Sequence, residues 1–309
     1  IIDTTAGPTS SLPMNGLGTP RVVDADGNGT ADYVYAGDLH GNMHRFDLTS
    51  TNTNSWDFLN IFTAEYLSTS TSPQPITTKP IVTKNPDFPD DFIVTFATGS
   101  WFTTDDATST DIQSIYGIWD TLANNTSIDK SDLVEQTISN VFDSTFGNIR
   151  TLTNNSVTYT NGGGSDEGWF IDLDPPVTGS ISGVEFPGER GVRNLQIRGD
   201  YIFINTVIPQ DATSCVPGEG GFEMAFNPLT GGSGTSPIFD FNNDGTFTDD
   251  DNSSTNNIII GRRFDGAVPS DSTFIGNKRY TQLSDKSIVF IETNTGSGLT
   301  TGRVSWKEL

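Results

Sequence analysis

The stretch Val22–Leu48, V-V-D-A-D-G-N-G-T-A-D-Y-V-Y-A-G-D-L-H-G-N-M-H-R-F-D-L, constrains the fold more than any other. Its first part places oxygen-bearing side chains at Asp24, Asp26, Asn28 and Asp32, with Gly29 and Thr30 between them, in a loop too polar to pack. Alternate positions of a tight glycine-containing loop point inward, and Thr30 adds its main-chain carbonyl, as position seven of an EF-hand loop does. This is the pattern of a calcium loop. The second part holds two short apolar runs, Tyr33–Ala36 and Met43–Leu48, joined by the polar residues 37–42. Turn residues between β-prone runs predict a hairpin, so a metal loop feeds directly into a sheet.

A second acidic loop, D-F-N-N-D-G-T-F-T-D-D-D, spans Asp240–Asp251. Numbered as an EF-hand loop it offers Asp240, Asn242, Asp244, Thr246, Thr248 and Asp251 at positions one, three, five, seven, nine and twelve, with Gly245 at six. Aspartate replaces the usual bidentate glutamate at twelve. Strand-like residues 237–239 and 258–260 flank it instead of helices. The expected cofactor is therefore Ca2+, one or two ions. The competing reading is a pair of solvated turns, which Asp, Asn and Gly favour without metal.

Glycine and proline number 32 and 16 among 309 residues, too many for a helical protein and too scattered for collagen. An all-β, loop-rich chain follows, read as one domain over residues 1–309. The formal charge of −23 excludes nucleic acid and anionic bilayers as natural partners, because both need clustered Lys and Arg. Cys215 is the only cysteine, so no disulfide within the chain is available. No run of 18 apolar residues predicts a membrane span. The chain opens without Met in a Thr/Pro/Ser-rich stretch, which reads as part of something longer.

One pattern recurs along the chain. A β run ending in an aromatic or Ile plus Asp or Asn closes at Phe46-Asp47, Trp119-Asp120, Ile171-Asp172 and Phe226-Asn227. Three of the four follow a second β run, at Tyr33–Ala36, Phe92–Ala97 and Tyr201–Val207. The intervals of 73, 52 and 55 residues exceed those of regular propeller repeats and predict a β-propeller of irregular blades with long loop insertions. The simpler alternative is any antiparallel protein rich in hairpins. Leu122–Phe142 is the best helix candidate, with Leu133, Val134, Ile138 and Val141 near helical spacing, although Val and Ile suit a strand equally.

Other candidates carry less. His40 and His44 fall on a turn and the adjoining strand, and no full zinc ligand set accompanies them. Asp166-Glu167 reads as a solvated loop, since neighbours in a strand point apart. Arg198-Gly199-Asp200 lies between two β runs, at a hairpin tip that would present the tripeptide to an integrin; the simpler reading is that Gly199-Asp200 is a turn dipeptide. No nucleophile motif is present.

The block Asp24–Leu48 resembles the signature of the PilY/PilC family, the type IV pilus tip-associated adhesins, in their C-terminal β-propeller. Further matches keep the family's order: Pro75–Pro80 (P-I-T-T-K-P), Ala97–Phe102 (A-T-G-S-W-F), Ser114–Asp120, Gly168–Leu173, Gly188-Glu189-Arg190, Cys215–Gly221, Asn227–Gly232 and Gly302–Trp306. The resemblance implies a quinoprotein-like propeller without quinone-enzyme activity, present here only in part. It implies a calcium loop at Asp24, Asp26, Asn28, Thr30 and Asp32 whose occupancy influences pilus extension and retraction. It implies an extracellular place at the pilus tip beside minor pilins, attachment to a host or abiotic surface, and a further N-terminal part of the same protein. Two other functions fit the residues: a secreted propeller enzyme, quinoprotein dehydrogenase or hydrolase, and an extracellular module that calcium only stabilises.

Overall fold

The computed structural model describes residues 2–4, 7, 14–66, 73–123, 127–160, 166–174, 187–209 and 220–296. Cys215, the Asn161–Ser165 stretch and the Gly302–Trp306 match lie outside them. Strands β1 (Arg21–Val23), β2 (Tyr33–Gly37), β3 (Asn42–Asp47) and β4 (Asp57–Thr63) form a four-stranded antiparallel meander. The predicted hairpin is β2–β3, with Val34 opposite Phe46 and Ala36 opposite His44. Strands β5 (Ile81–Asn85), β6 (Phe88–Ala97) and β7 (Ser114–Asp120) begin a second sheet.

The chain then makes an excursion through β8 (Val134–Glu135), β9 (Ile138–Asp143) and β10 (Gly147–Leu152) before β11 (Gly168–Asp172) completes the second sheet in the order β5-β6-β7-β11-β8. Strands β12 (Gln196–Arg198), β13 (Tyr201–Asn205) and β14 (Gly220–Phe226) start a third sheet. A second excursion carries β15 (Phe239–Asp240), after which β16 (Ile259–Asp265) gives the order β12-β13-β14-β16-β10-β9. Strands β17 (Pro269–Ile275), β18 (Lys278–Leu283) and β19 (Ile288–Thr293) join β15 in the fourth sheet, β15-β19-β18-β17.

Each excursion leaves one sheet before its fourth strand and lends outer strands to the next. The β9–β10 hairpin finishes the third sheet and β15 finishes the fourth. The sheets stack in sequence order. One apolar cluster joins the first two through Tyr35, Phe62, Phe96 and Tyr116. A larger one joins the second, third and fourth through Trp169, Phe203, Phe222, Phe226 and Phe239. Neither cluster links the first sheet to the fourth, so among the described residues the sheets form an open arc of four blades with β1, β5, β12 and β17 innermost.

The structure corrects two expectations. Residues 127–142 hold one turn of 3-10 helix at Lys130–Asp132, then β8 and most of β9, with no α-helix. The β-branched residues there prefer a pleated surface once a neighbouring strand is present. The run Gly168–Asp172 opens no blade; it is the fourth strand of the second sheet, which is why no second β run precedes it. No described helix is long and apolar enough to cross a membrane.

Candidate metal loops and the contacts that place them

The β1–β2 connection is the first acidic loop. Ligand oxygens of Asp24, Asp26 and Asp32 all lie within 4.8 Å of one another, the one such trio of acidic or metal-ligating groups among the described residues. The chain is turned inward by its own amides. Asp24 Oδ1 accepts from Gly27 N at 2.7 Å and Asn28 N at 3.1 Å, while its Oδ2 accepts from Gly29 N at 2.8 Å. Asp32 Oδ2 closes the loop by accepting from Ala25 N at 2.7 Å. Asn28 Oδ1 accepts from both the amide and the hydroxyl of Thr30. Gly27 and Gly29 have φ of 77° and 87°, a left-handed path that a side chain opposes.

The second loop repeats this template. Asp240 accepts from Asp244 N at 3.2 Å and Gly245 N at 2.9 Å, as Asp24 accepts from Asn28 and Gly29. Asp244 Oδ1 accepts from the amide and hydroxyl of Thr246, as Asn28 does from Thr30. Asn243 and Gly245, at φ of 59° and 80°, stand where Gly27 and Gly29 stand. The closing acid differs. Asp251 comes from a 3-10 turn, Asp249–Asp251, yet its Oδ1 accepts from Phe241 N at 2.8 Å and Asn242 N at 3.2 Å, the amides equivalent to those Asp32 holds. Thr248 N donates to its Oδ2 at 3.3 Å. Burial raises the Asp251 pKa, against the amide bonds and with the charge of Asp240 adding to it. In sheet terms Asp240 belongs to β15, so this loop sits on the strand that the third blade lends to the fourth.

The donor set of the first loop, three carboxylates, one amide oxygen and one carbonyl, fits a hard divalent cation such as Ca2+. Both loops are oxygen-only, which disfavours zinc. A cleft of about 820 Å³ opens beside the first loop, lined by Asp26, Asn28, Thr30, Asp32, Tyr33 and Trp56 among others.

The remaining candidates resolve into structural roles. Asp38 accepts from His44 Nε2 at 3.0 Å, Asn42 Nδ2 and Asn15 Nδ2 at 2.9 Å each, and the amides of His40 and Asn42. Burial works to raise its pKa, but those bonds prevail and lower it to about 2. His44 is thus a core partner of the β2–β3 turn. Glu167 corrects the solvated-loop reading: it is half-buried, and burial raises its pKa with Asp132 adding to the effect. Arg198-Gly199-Asp200 does form the β12–β13 turn, but the tip is held down. Arg198 Nη2 donates to Gly276 O at 3.0 Å and Asp200 N to Thr295 O at 3.1 Å. A Cβ on Gly199 would stand 1.8 Å from Thr295 O.

Sequence reasoning missed the polar bolts between blades. Asp120, at the end of β7, accepts from Tyr35 Oη at 2.8 Å and pairs with Arg45, both from the first sheet. Within the third blade, Arg150 of β10 pairs with Glu189 of the segment before β12, both side chains fully buried. Glu223 receives Arg279 from the fourth sheet as well as Arg262, its cross-strand partner in the third. The Asp or Asn that closes each recurring run was the available signal, and at Trp119-Asp120 it marks such a bolt.

Four stacked sheets, antiparallel but for the β8–β11 pair and bolted by polar groups, define a β-propeller arc that carries two acidic loops. Residues 6–151 match the family described as the PilY1 beta-propeller domain. The chain is 29% identical to a type IV pilus biogenesis factor PilY1 homolog of Xylella fastidiosa over 98% of its own length and 23% of that protein. It is 29% identical to the type IV pilus biogenesis factor PilY1 of Pseudomonas aeruginosa over 94% of its length and 28% of that protein. The crystal structure of the Pseudomonas aeruginosa PilY1 C-terminal domain superposes with a TM-score of 0.73 at 24% identity, over 92% of this chain and 61% of that one. Residues 6–151 carry the PilY1 β-propeller match, and the chain, similar to these proteins along nearly all its length, spans about a quarter of the length of the two curated relatives.

Proposed function

We propose that this chain is the calcium-responsive propeller part of a type IV pilus biogenesis factor that works outside the cell, at the pilus tip, without enzymatic activity. Its partners in this reading are minor pilins, the rest of its own protein, and the host or abiotic surface to which the pilus attaches. The observation that carries the reading is the Asp24/Asp26/Asp32 cluster, within 4.8 Å, in a chain similar along nearly all its length to proteins named as pilus biogenesis factors. Calcium neutralises the three carboxylates and fixes the β1–β2 connection. Its removal leaves like charges adjacent and loosens the loop and the cleft beside it. Asp240, Asn242, Asp244, Thr246 and Asp251 hold a second ion by the same template, where it clasps the third blade to the fourth.

The test is calorimetric titration of calcium into the metal-stripped chain and into its Asp32→Ala and Asp244→Ala variants, followed by piliation of cells carrying Asp32→Ala. Two sites, each lost with its own variant, and altered piliation are expected. Absence of binding at millimolar calcium removes the metal mechanism, and normal piliation without the first site confines calcium to a stabilising part.

A further inference from the structure

At the strand-entry ends of β5, β12 and β17, the opposite pole from the β1–β2 metal loop, a cleft of about 460 Å³ is lined by Thr77, Trp101, Phe102, Val192, Arg193 and Val268. These residues come from the segments just before the three innermost strands and from the β6–β7 connection. Trp101 and Phe102 are 37% and 73% exposed, adjacent large aromatics turned to water rather than to a core.

Their loop is held with unusual density for one that shows apolar rings to solvent. Arg190 donates to Gly188 O, Ser100 O, Asp106 O and Ser109 O, all within 3.0 Å, drawing the two ends of the connection together. Asp106 accepts from Ser100 Oγ and from the amides of Phe102 and Thr103, all within 2.9 Å. Burial opposes ionisation of Asp106, but these bonds lower its pKa overall. Gly99 is left-handed at φ 140°, and a Cβ there would stand 2.7 Å from that of Arg190. The aromatic pair is therefore presented on a fixed frame, which lowers the ordering cost of binding.

Cations collect at the same pole of an otherwise acidic chain. Arg193 donates only Nε, to Pro269 O at 2.9 Å, and its terminal nitrogens bond no described residue. Lys79 lies next to it in space, its amide bonded to Asn194 Oδ1 at 3.4 Å. Arg21 follows, with Nε on Pro80 O at 3.0 Å. None of the three side chains forms an ion pair with a described carboxylate. Two acids lie close by: Asp271 is bonded by the amide and side chain of Asn194, and Asp106 by the amides of Phe102 and Thr103. A ligand for this site needs a flat apolar face for the rings and an anionic group for the free guanidinium. Its charge must be sparser than a polyphosphate's, because the −23 net charge of the chain repels so dense an anion.

The geometry points to a binding site for an acidic sugar, a uronate-type oligosaccharide whose ring face stacks on Trp101 and Phe102 and whose carboxylate meets Arg193, with Lys79 and Arg21 at the rim. This site is separate from both metal loops, so its test does not depend on the calcium reading.

The experiment is calorimetric titration of the 309-residue chain with hexagalacturonate, with neutral cellohexaose, and with an acidic peptide of equal charge, in calcium-free buffer at low salt. Hexagalacturonate is expected to bind saturably, at least tenfold more tightly than either comparison ligand and more weakly as salt rises. Arg193→Gln and Phe102→Ala should each weaken it about tenfold, with Arg193→Lys recovering part of the loss. Asp32→Ala should leave it unchanged. Phe102→Ala removes a side chain that is mostly in solvent, so folding does not confound that variant. No saturable binding at millimolar sugar overturns the assignment. So does equal binding of the neutral sugar, tighter binding of the peptide, or affinity indifferent to both site variants.

Discussion

Replacing Asp120 with alanine tests whether polar bolts hold the blades in place. The carboxylate is 2% exposed and serves two groups of the neighbouring sheet, the Arg45 guanidinium and the Tyr35 hydroxyl. Its loss strands a buried cation, which costs about 3–5 kcal/mol when one partner of a buried pair is removed. The orphaned hydroxyl adds roughly 1 kcal/mol. An unfolding entropy near 2.1 cal/mol/K per residue amounts to roughly 0.65 kcal/mol/K over this chain, so the total of about 4–6 kcal/mol lowers Tm by about 6–9 °C. Thermal unfolding followed by circular dichroism, with urea titration for the midpoint, reads the effect directly. The same substitution in an Arg45→Met, Tyr35→Phe background should cost under about 1.5 kcal/mol, because only the Leu122 amide then loses its acceptor. An equal cost in both backgrounds would refute the reasoning and place the effect in local strand structure.

Two further outcomes follow from packing and charge. Asp38, held at about 2 when folded against an ordinary value of 3.8, contributes about 2 kcal/mol that is fully present above pH 4 and lost as pH falls toward 2; acid titration of stability should show that loss in the parent chain and not in Asp38→Asn. Gly117→Ala would bring a Cβ within 2.3 Å of the buried Trp169 ring, and urea unfolding should show a loss of about 1–3 kcal/mol; an unchanged midpoint would mean the ring is free to shift.

Legibility of the fold tracked sequence distance. The turned acidic loop and the β2–β3 hairpin were readable because both are local: Asx spacing and a polar turn between β runs need no distant partner. The paired runs that became β2–β3, β6–β7 and β13–β14 were visible for the same reason. The lending of β9, β10 and β15 to the following blade was not, since the choice of partner depends on which edge is open after three strands have paired. Gly168–Asp172 had the right ending and the wrong place for that reason. At the sites, the register of both acidic loops was legible. The burial of Asp240 and Asp251, the use of Asp120 between blades, and the frame that Arg190 builds under Trp101 were not, because each depends on segments far apart in the chain.

The lent strands also set an order on folding. For a chain emerging from its N-terminus, the outer hairpin β9–β10 exists before any of the strands it will border, and β15 exists before β17 to β19. The second and third blades thus each offer their successor a waiting edge on which the next strands align. Cutting between the second and third or the third and fourth blades leaves an unpaired edge on one fragment and removes the rim from the other. Unlike an array of self-contained repeats, this arc should resist being trimmed or shuffled blade by blade, and it should unfold as a unit.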